Sequence, residues 1–405
     1  MKITDVKTVM LTGPMTNDPS KPAARRFRSA AFIEIHTDTE HVGIGETYLG
    51  YQFPEVVPIV VDFFKPIICA AENLDIHTLR QRMFDCCAYW GRVGIGPTVI
   101  SGIEAALWDL KGKLYGLPVY ELLGGRCHDR LPAYATGGVS NWPLDRLFAK
   151  VDHYLELGFT GFKVGAGYFE ESTQTMNPPM GASETAEFEA KKVAALRDHV
   201  GKDVRILLDG HMGFRHGAAQ WDLPTAQKVL AAVEPYDLFF FEEPLPYTDP
   251  HGYGELCRTS AVRVAGGESL TSFEEFRQFA DAESFDIAQP DSAWIGMTDF
   301  LDVGRRFALQ HKWVASHAWG SGSAVMQNIH AAFATPNTLI LEMPPAAGPL
   351  HTEVWGDSLQ MNDGFVLAPT TPGLGVHLTD ELKAKYPFVP GTGEFVSVPG
   401  KILER

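Results

Sequence analysis

Val204-Arg205-Ile206-Leu207-Leu208-Asp209-Gly210-His211 reads as a buried strand that ends on a carboxylate. Four apolar residues lead into Asp209, and short apolar runs of this kind form strands with both faces covered. His211 follows two residues later, so a period of two places its imidazole on the same side as the carboxylate. Taken alone, Asp209 could simply cap the following helix. Its meaning depends on whether other strands end the same way.

They do. Short strands are expected at 131–136, 161–165, 204–209, 238–242, 262–267, 285–290, 313–316 and 338–342, alternating with amphipathic helical stretches. Eight such strands indicate an α/β fold, a parallel (β/α) barrel whose polar strand ends gather at one face. The last six end on Asp209, Glu242, Glu268, Asp291, His317 and Glu342, spaced 33, 26, 23, 26 and 25 residues apart, one βα unit per step. Three acids converging from successive strands, Asp209, Glu242 and Glu268, cannot all stay ionised without a cation. Oxygen-only ligands favour a hard ion, with Mg²⁺ the default. Asp291 beside His317 would set the imidazole tautomer and raise its basicity, the requirement for a general base that removes a proton α to a metal-bound carboxylate. The metal would stabilise the enediolate, and Glu342, if protonated, could donate to its other oxygen.

Working outward, residues 1–125 read as an α+β capping domain, 126–349 as the barrel and 350–405 as a segment returning to the cap. Residues 31–46 alternate as a hairpin. The basic stretch Arg25, Arg26 and Arg28 falls in an expected loop, solvated or serving as a lid that brings cations to an anionic substrate. Ile100, Ile103, Leu107, Leu110 and Leu114 have helical spacing, with Ser101 a possible cap and Gly116 and Pro118 the end. Tyr48, Tyr51, Tyr89 and Trp90 lie near turns and suit core packing or a lid. The long stretch 168–185 reads as a lid after the second strand.

The bulk composition fits this reading. A length of 405 residues exceeds one typical core. Hydrophobic content of 45% with 21% charge is that of a soluble globular protein. A net charge of −16 argues against nucleic acid or an anionic membrane as partner and requires local positive charge for an anionic substrate. Five cysteines without a metal-spaced pair read as free thiols in a reducing compartment, the cytoplasm. Residues 1–10 lack the apolar stretch of a secretory signal and no 18-residue apolar run occurs, so neither a leader nor a membrane-spanning helix is expected.

Together these residues resemble the enolase superfamily in its mandelate racemase-like branch. The resemblance rests on Gly43-x-Gly45-Glu46, on Ser101-Gly102-Ile103-Glu104-Ala105-Ala106-Leu107-Trp108-Asp109, on the three acids and on the Asp291/His317 pair. It covers nearly the whole chain and implies a modified TIM barrel with an N-terminal cap. It also implies Mg²⁺ on Asp209, Glu242 and Glu268, the Asp291–His317 dyad as acid/base, and a homo-oligomer. Racemases of this branch carry Lys-x-Lys on the second strand. Counting from Gly158, Lys163 matches the first lysine, which holds the substrate carboxylate, and Gly165 replaces the second. Anchoring on Val164-Gly165 instead would make Lys163 the catalytic lysine. Similar sugar-acid dehydratases, of the D-galactonate and mannonate type, carry a histidine two residues after the first ligand, the place of His211, where it protonates the departing β-hydroxyl. The expected activity is therefore Mg²⁺-dependent dehydration of an aldonic or aldaric acid to a 2-keto-3-deoxy acid. A racemase, epimerase or cycloisomerase on a related carboxylate is the alternative among enzymes, and a binding protein on a retained barrel the alternative outside them.

Overall fold

Alternating residues near the N-terminus build one sheet and short apolar runs build the other. The computed structural model describes residues 1–14, 27–137, 144–167, 169–170, 175–176, 180–345 and 348–391. β1 (Ile3–Pro14), β2 (Phe27–Thr37) and β3 (Val42–Thr47) form an antiparallel sheet in that order. Helices Val57–Cys69, Ile76–Cys87 and Ile95–Tyr115 complete the cap. The last of these starts earlier than expected, at Gly94, so Ser101 is no cap. Ser101 is interior to the helix, and its hydroxyl donates to Thr98 O and to Ala293 O of the barrel. Gly116 ends the helix in the left-handed region, where lack of a Cβ removes the strain. Arg28 is also not in a loop. It lies on β2 and is buried, while Arg25 and Arg26 fall outside the described residues.

The barrel strands are β4 (Arg130–Ala135), β5 (Gly161–Gly165), β8 (Arg205–Asp209), β9 (Leu238–Glu242), β10 (Val264–Gly266), β11 (Ile287–Ala288), β12 (Trp313–Ser316) and β13 (Thr338–Met343). All are parallel neighbours, and pairing of β13 with β4 closes the ring. Between β5 and β8, a short antiparallel pair, β6 (Phe169–Glu170) and β7 (Thr175–Met176), precedes a helix from Ala182. Of the stretch 168–185 expected as a lid, Ala182 to Thr185 already belong to that helix, and residues 168, 171–174 and 177–179 fall outside the described residues. After β13, β14 (Met361–Asn362) and β15 (Phe365–Leu367) pair with each other, and β15 pairs antiparallel with the first half of β4, Arg130 to Pro132. The chain then meets the cap, where Leu374 N–H donates to Asp109 and Thr12 N–H to Tyr386 O. Among the described residues no helix is long and apolar enough to cross a membrane.

Inside the barrel, Tyr134, Leu207, Phe240, Ala265, Ile287, Ala315 and Ile340 make a separate core, one from each of seven strands. The eighth strand contributes Lys163, which pairs in register with Leu207. Lys163 is therefore a charged member of an otherwise uncharged layer, and it needs anions above it.

Candidate active site

A period of two converts that interior layer into the site above it. Two residues beyond Leu207, Phe240, Ile287, Ala315 and Ile340 stand Asp209, Glu242, Gln289, His317 and Glu342, and all five are buried. On β10 the alternation is broken. Gly267 has φ of +117°, a conformation open to glycine, and the kink brings Glu268 into the ring. On β5 the residue level with Asp209 is Gly165, so the strand offers no side chain there.

Lys163 Nζ lies 2.6 Å from Glu242 Oε2, 2.8 Å from Glu342 Oε2 and 3.2 Å from Asp209 Oδ2. Burial alone would drive the amine to its neutral form. Glu242 and Glu342 outweigh burial and hold its pKa well above the ordinary value. Burial raises the carboxyls of Asp209 and Glu242, with Lys163 opposing the rise. Glu268 is raised further, by burial and then by the charges of Glu243 and Asp209. Glu342 behaves differently. Burial is overcome by Lys163 and His317, its pKa falls, and its oxygens accept from Tyr134 OH and Ala318 N–H. Glu342 is thus an anion and an acceptor, and the expected role as a protonated donor is withdrawn.

His317 Nδ1 is 2.8 Å from Asp291 Oδ2. The other oxygen of Asp291 accepts from Asn328 Nδ2 and Ala293 N–H, each at 2.8 Å, which fixes the carboxylate and through it the ring. Burial opposes a charged imidazole, but the Asp291 hydrogen bond and Glu342 raise its pKa overall. Nε2 faces the ring of acids, 3.5 Å from Glu268 Oε2 and 3.9 Å from Glu342 Oε1. The cap supplies the adjoining wall, with the Tyr48 ring 5.7 Å from the His317 ring.

His211 has φ of +48°, and its side chain is 47% exposed, far more than any other group in the cluster. Its Nε2 is 3.2 Å from Asp209 Oδ2, and its N–H donates to Asp209 Oδ1. Desolvation and then repulsion from Lys163 lower its pKa, so the ring is neutral here. The donor set suits a hard cation. Glu242 Oε1 is buried without a hydrogen-bond partner, Asp209 Oδ2 is buried with only the ion-pair contacts to Lys163 and His211, and ligand atoms of Asp209, His211 and Glu268 lie within 4.8 Å of one another.

Sequence reasoning passed over four residues at this site. Gln289 is buried with neither amide atom partnered, Glu243 is buried at φ +43° against Tyr247 OH, Asn328 holds Asp291, and Tyr134 holds Glu342. Gln289 and Tyr134 were detectable by the same period of two. Asn328 lies on a helix, and nothing in the linear spacing ties it to Asp291. Arg28, expected in a loop either solvated or serving as a lid, instead lies 5.0 Å from both the Tyr51 and Trp319 rings at the seam of cap and barrel.

Residues 6–124 match the model of the mandelate racemase / muconate lactonizing enzyme N-terminal domain, and residues 146–382 that of the enolase C-terminal domain-like family. The chain is 27% identical over 393 residues to arabinonate dehydratase of Saccharolobus solfataricus, covering 95% of this chain and 99% of the relative. It is also 27% identical over 402 residues to D-galactarolactone cycloisomerase of Agrobacterium fabrum, with the same coverages of 95% and 99%. The crystal structure of L-talarate dehydratase from Polaromonas sp. JS666, complexed with Mg and L-glucarate, superposes with a TM-score of 0.79 at 26% identity, over 96% of this chain and 98% of that one.

Proposed function

The chain belongs to the mandelate racemase and muconate lactonizing enzyme family of the enolase superfamily, and from that premise we propose that it dehydrates an aldonic or aldaric acid to a 2-keto-3-deoxy acid. The observation that carries the reading is the pair of imidazoles on one ring of acids, His317 backed by Asp291 and His211 by Asp209, with Gly165 where a base on β5 would stand. The arabinonate and L-talarate dehydratases support it by likeness. Mg²⁺ held by Asp209, Glu242 and Glu268 supplies, when bound, a Lewis acid for the substrate carboxylate.

The chain's own groups do the proton work. His317 Nε2 takes the proton from C2, while Nδ1 stays on Asp291 and the imidazolium is stabilised by that carboxylate. Lys163 pairs with the substrate carboxylate, and Glu342 accepts a hydrogen bond from the substrate or positions Lys163. The C3–O bond breaks as His211 gives a proton to the leaving hydroxyl, releasing water and an enol that becomes the keto acid. His211 is neutral before substrate arrives. A bound anion offsets Lys163 and Arg215, which lower the His211 pKa after desolvation, and so favours the protonated ring that elimination needs. The same neutrality favours a second reading, in which His211 is a second base facing C2 and the enzyme is an epimerase. The free cysteines support a cytoplasmic setting, and the family supports a homo-oligomer acting on a small carboxylate.

A panel of aldonic and aldaric acids, incubated with enzyme and Mg²⁺ in D₂O, tests this. The expected result is keto-acid formation from at least one acid. Deuterium entering C2 without keto acid would select the epimerase, and neither change on any acid would reject both.

A further inference from the structure

Lys163 is the only lysine or arginine that contacts the acids of the ring among the described residues, and it contacts three of them at once. Two of the three, Asp209 and Glu242, are proposed metal ligands, and the third, Glu342, is also held by Tyr134 OH at 2.7 Å. All three carboxylates are at most 2% exposed. Such a cluster is tolerable in a low-dielectric interior only with a counter-charge, because each unpaired buried carboxylate is strongly destabilising. Lys163 is rooted one layer below, level with Leu207, so its stem passes through the apolar core and only the ammonium reaches the acids. The third ligand is treated differently. Glu268 is not among the carboxylates that Lys163 contacts, and it faces His317 instead.

We infer that Lys163, besides the contact to the substrate carboxylate proposed above, serves as the internal counter-cation of the metal-free site, holding in place Asp209 and Glu242, the carboxylates that the metal would take. This rests on the proposed metal site and adds a claim about metal affinity. An ammonium and a dication both draw on Asp209 and Glu242, so each weakens the other's hold. Removing the ammonium should harm the metal-free fold, whose acids lose their counter-charge, and should spare the metal-loaded fold. By the thermodynamic cycle, a cost borne by the metal-free state alone reappears as tighter metal binding.

The test compares wild type with Lys163→Met at pH 8, using MgCl₂ as the probe. Calorimetric titration gives the affinity, and thermal unfolding is followed with EDTA and with saturating Mg²⁺. The expected result is a lower Tm for the variant in EDTA, recovery of most of the loss in Mg²⁺, and Mg²⁺ binding at least tenfold tighter than in wild type. A variant that folds only in the presence of Mg²⁺ also supports the inference. Equal affinities, with the same loss of Tm in both conditions, would reduce Lys163 to a packing role and overturn it. Weaker Mg²⁺ binding in the variant would overturn it too. If wild type binds no Mg²⁺ while the variant does, competition by the ammonium is upheld. Binding by neither overturns the proposed metal site and this inference with it. Should Lys163→Met not fold in either condition, Lys163→Gln, uncharged but still able to donate a hydrogen bond, decides by the same comparison.

Discussion

The two imidazoles of the site are held in opposite ways. His317 is buried, and its ring is fixed by a carboxylate that is itself fixed by Asn328 and a backbone N–H. His211 is half open, on a left-handed backbone whose next N–H, at Met212, donates to Glu243 O. A positive φ at a non-glycine residue costs of order 1–3 kcal/mol, and the surrounding contacts must maintain it. The difference predicts separable phenotypes. His317→Asn should reduce deuterium exchange at C2 by about 10²–10⁴-fold, the usual range for a lost general base. His211→Asn should reduce dehydration by about 10²-fold or more while C2 exchange remains measurable. Both are read by NMR in D₂O, and a His211 variant that dehydrates at the wild-type rate would remove the role assigned to it. The reason His211 was legible as a candidate is its two-residue offset from Asp209. Its lowered pKa was not legible, because that depends on desolvation in the folded site and on Lys163, 48 positions nearer the N-terminus.

Between elements, the cap is organised by close approach. A Cβ built on Gly45 of β3 would come 2.2 Å from Gly102 O and 2.6 Å from Ala106 N of the helix Ile95–Tyr115, and one on Gly43 would come 2.1 Å from Ala106 O. Strand and helix backbone leave no room for a side chain at either glycine. Gly45→Ala should therefore destabilise the protein by at least ~1–3 kcal/mol, the range for overpacking, measured by urea unfolding. A change below ~0.5 kcal/mol would show that the helix can move away. Strands and their polar ends could be read from the sequence because unit length and alternation are local properties. The start of this helix could not. Gly94 occupies the cap with φ of +75° and its N–H is taken by Thr271 Oγ1 from the barrel, a partner 177 positions away, whereas Ser101 looked like a cap but uses its hydroxyl inside the helix and across to Ala293. Arg28 was misplaced for a related reason, since the partners that let it be buried are remote in sequence: the Tyr51 and Trp319 rings, Gly320 O and His351 Nε2.

Across the whole molecule, one of the contacts between cap and barrel is a buried carboxylate. Glu46, at the end of β3, accepts from Ser321 N–H and Oγ and from Ala324 N–H at the start of the barrel helix Gly322–Phe333, while its own backbone exchanges hydrogen bonds with the Gln327 side chain. Three donors and a helix N-terminus favour the anion. Burial opposes it more strongly and raises the pKa to about 7. The unfolded chain ionises this group near its ordinary value of 4.5, whereas the folded chain keeps the proton until about 7. Between those values the unfolded state binds fewer protons, so stability falls as pH rises, by about 1.4 kcal/mol per unit from this group alone. The contribution is complete below pH 4.5 and is gone above about 7. Glu46→Gln removes the titration and loses one acceptor at the helix start. The variant should be less stable than wild type at pH 5, and the gap between the two should narrow by ~2 kcal/mol on going to pH 7. Urea unfolding of both proteins at the two pH values measures this. A gap that stays constant or widens would show that the three donors hold Glu46 ionised throughout, so that the seam is a charged cap and not a protonated one.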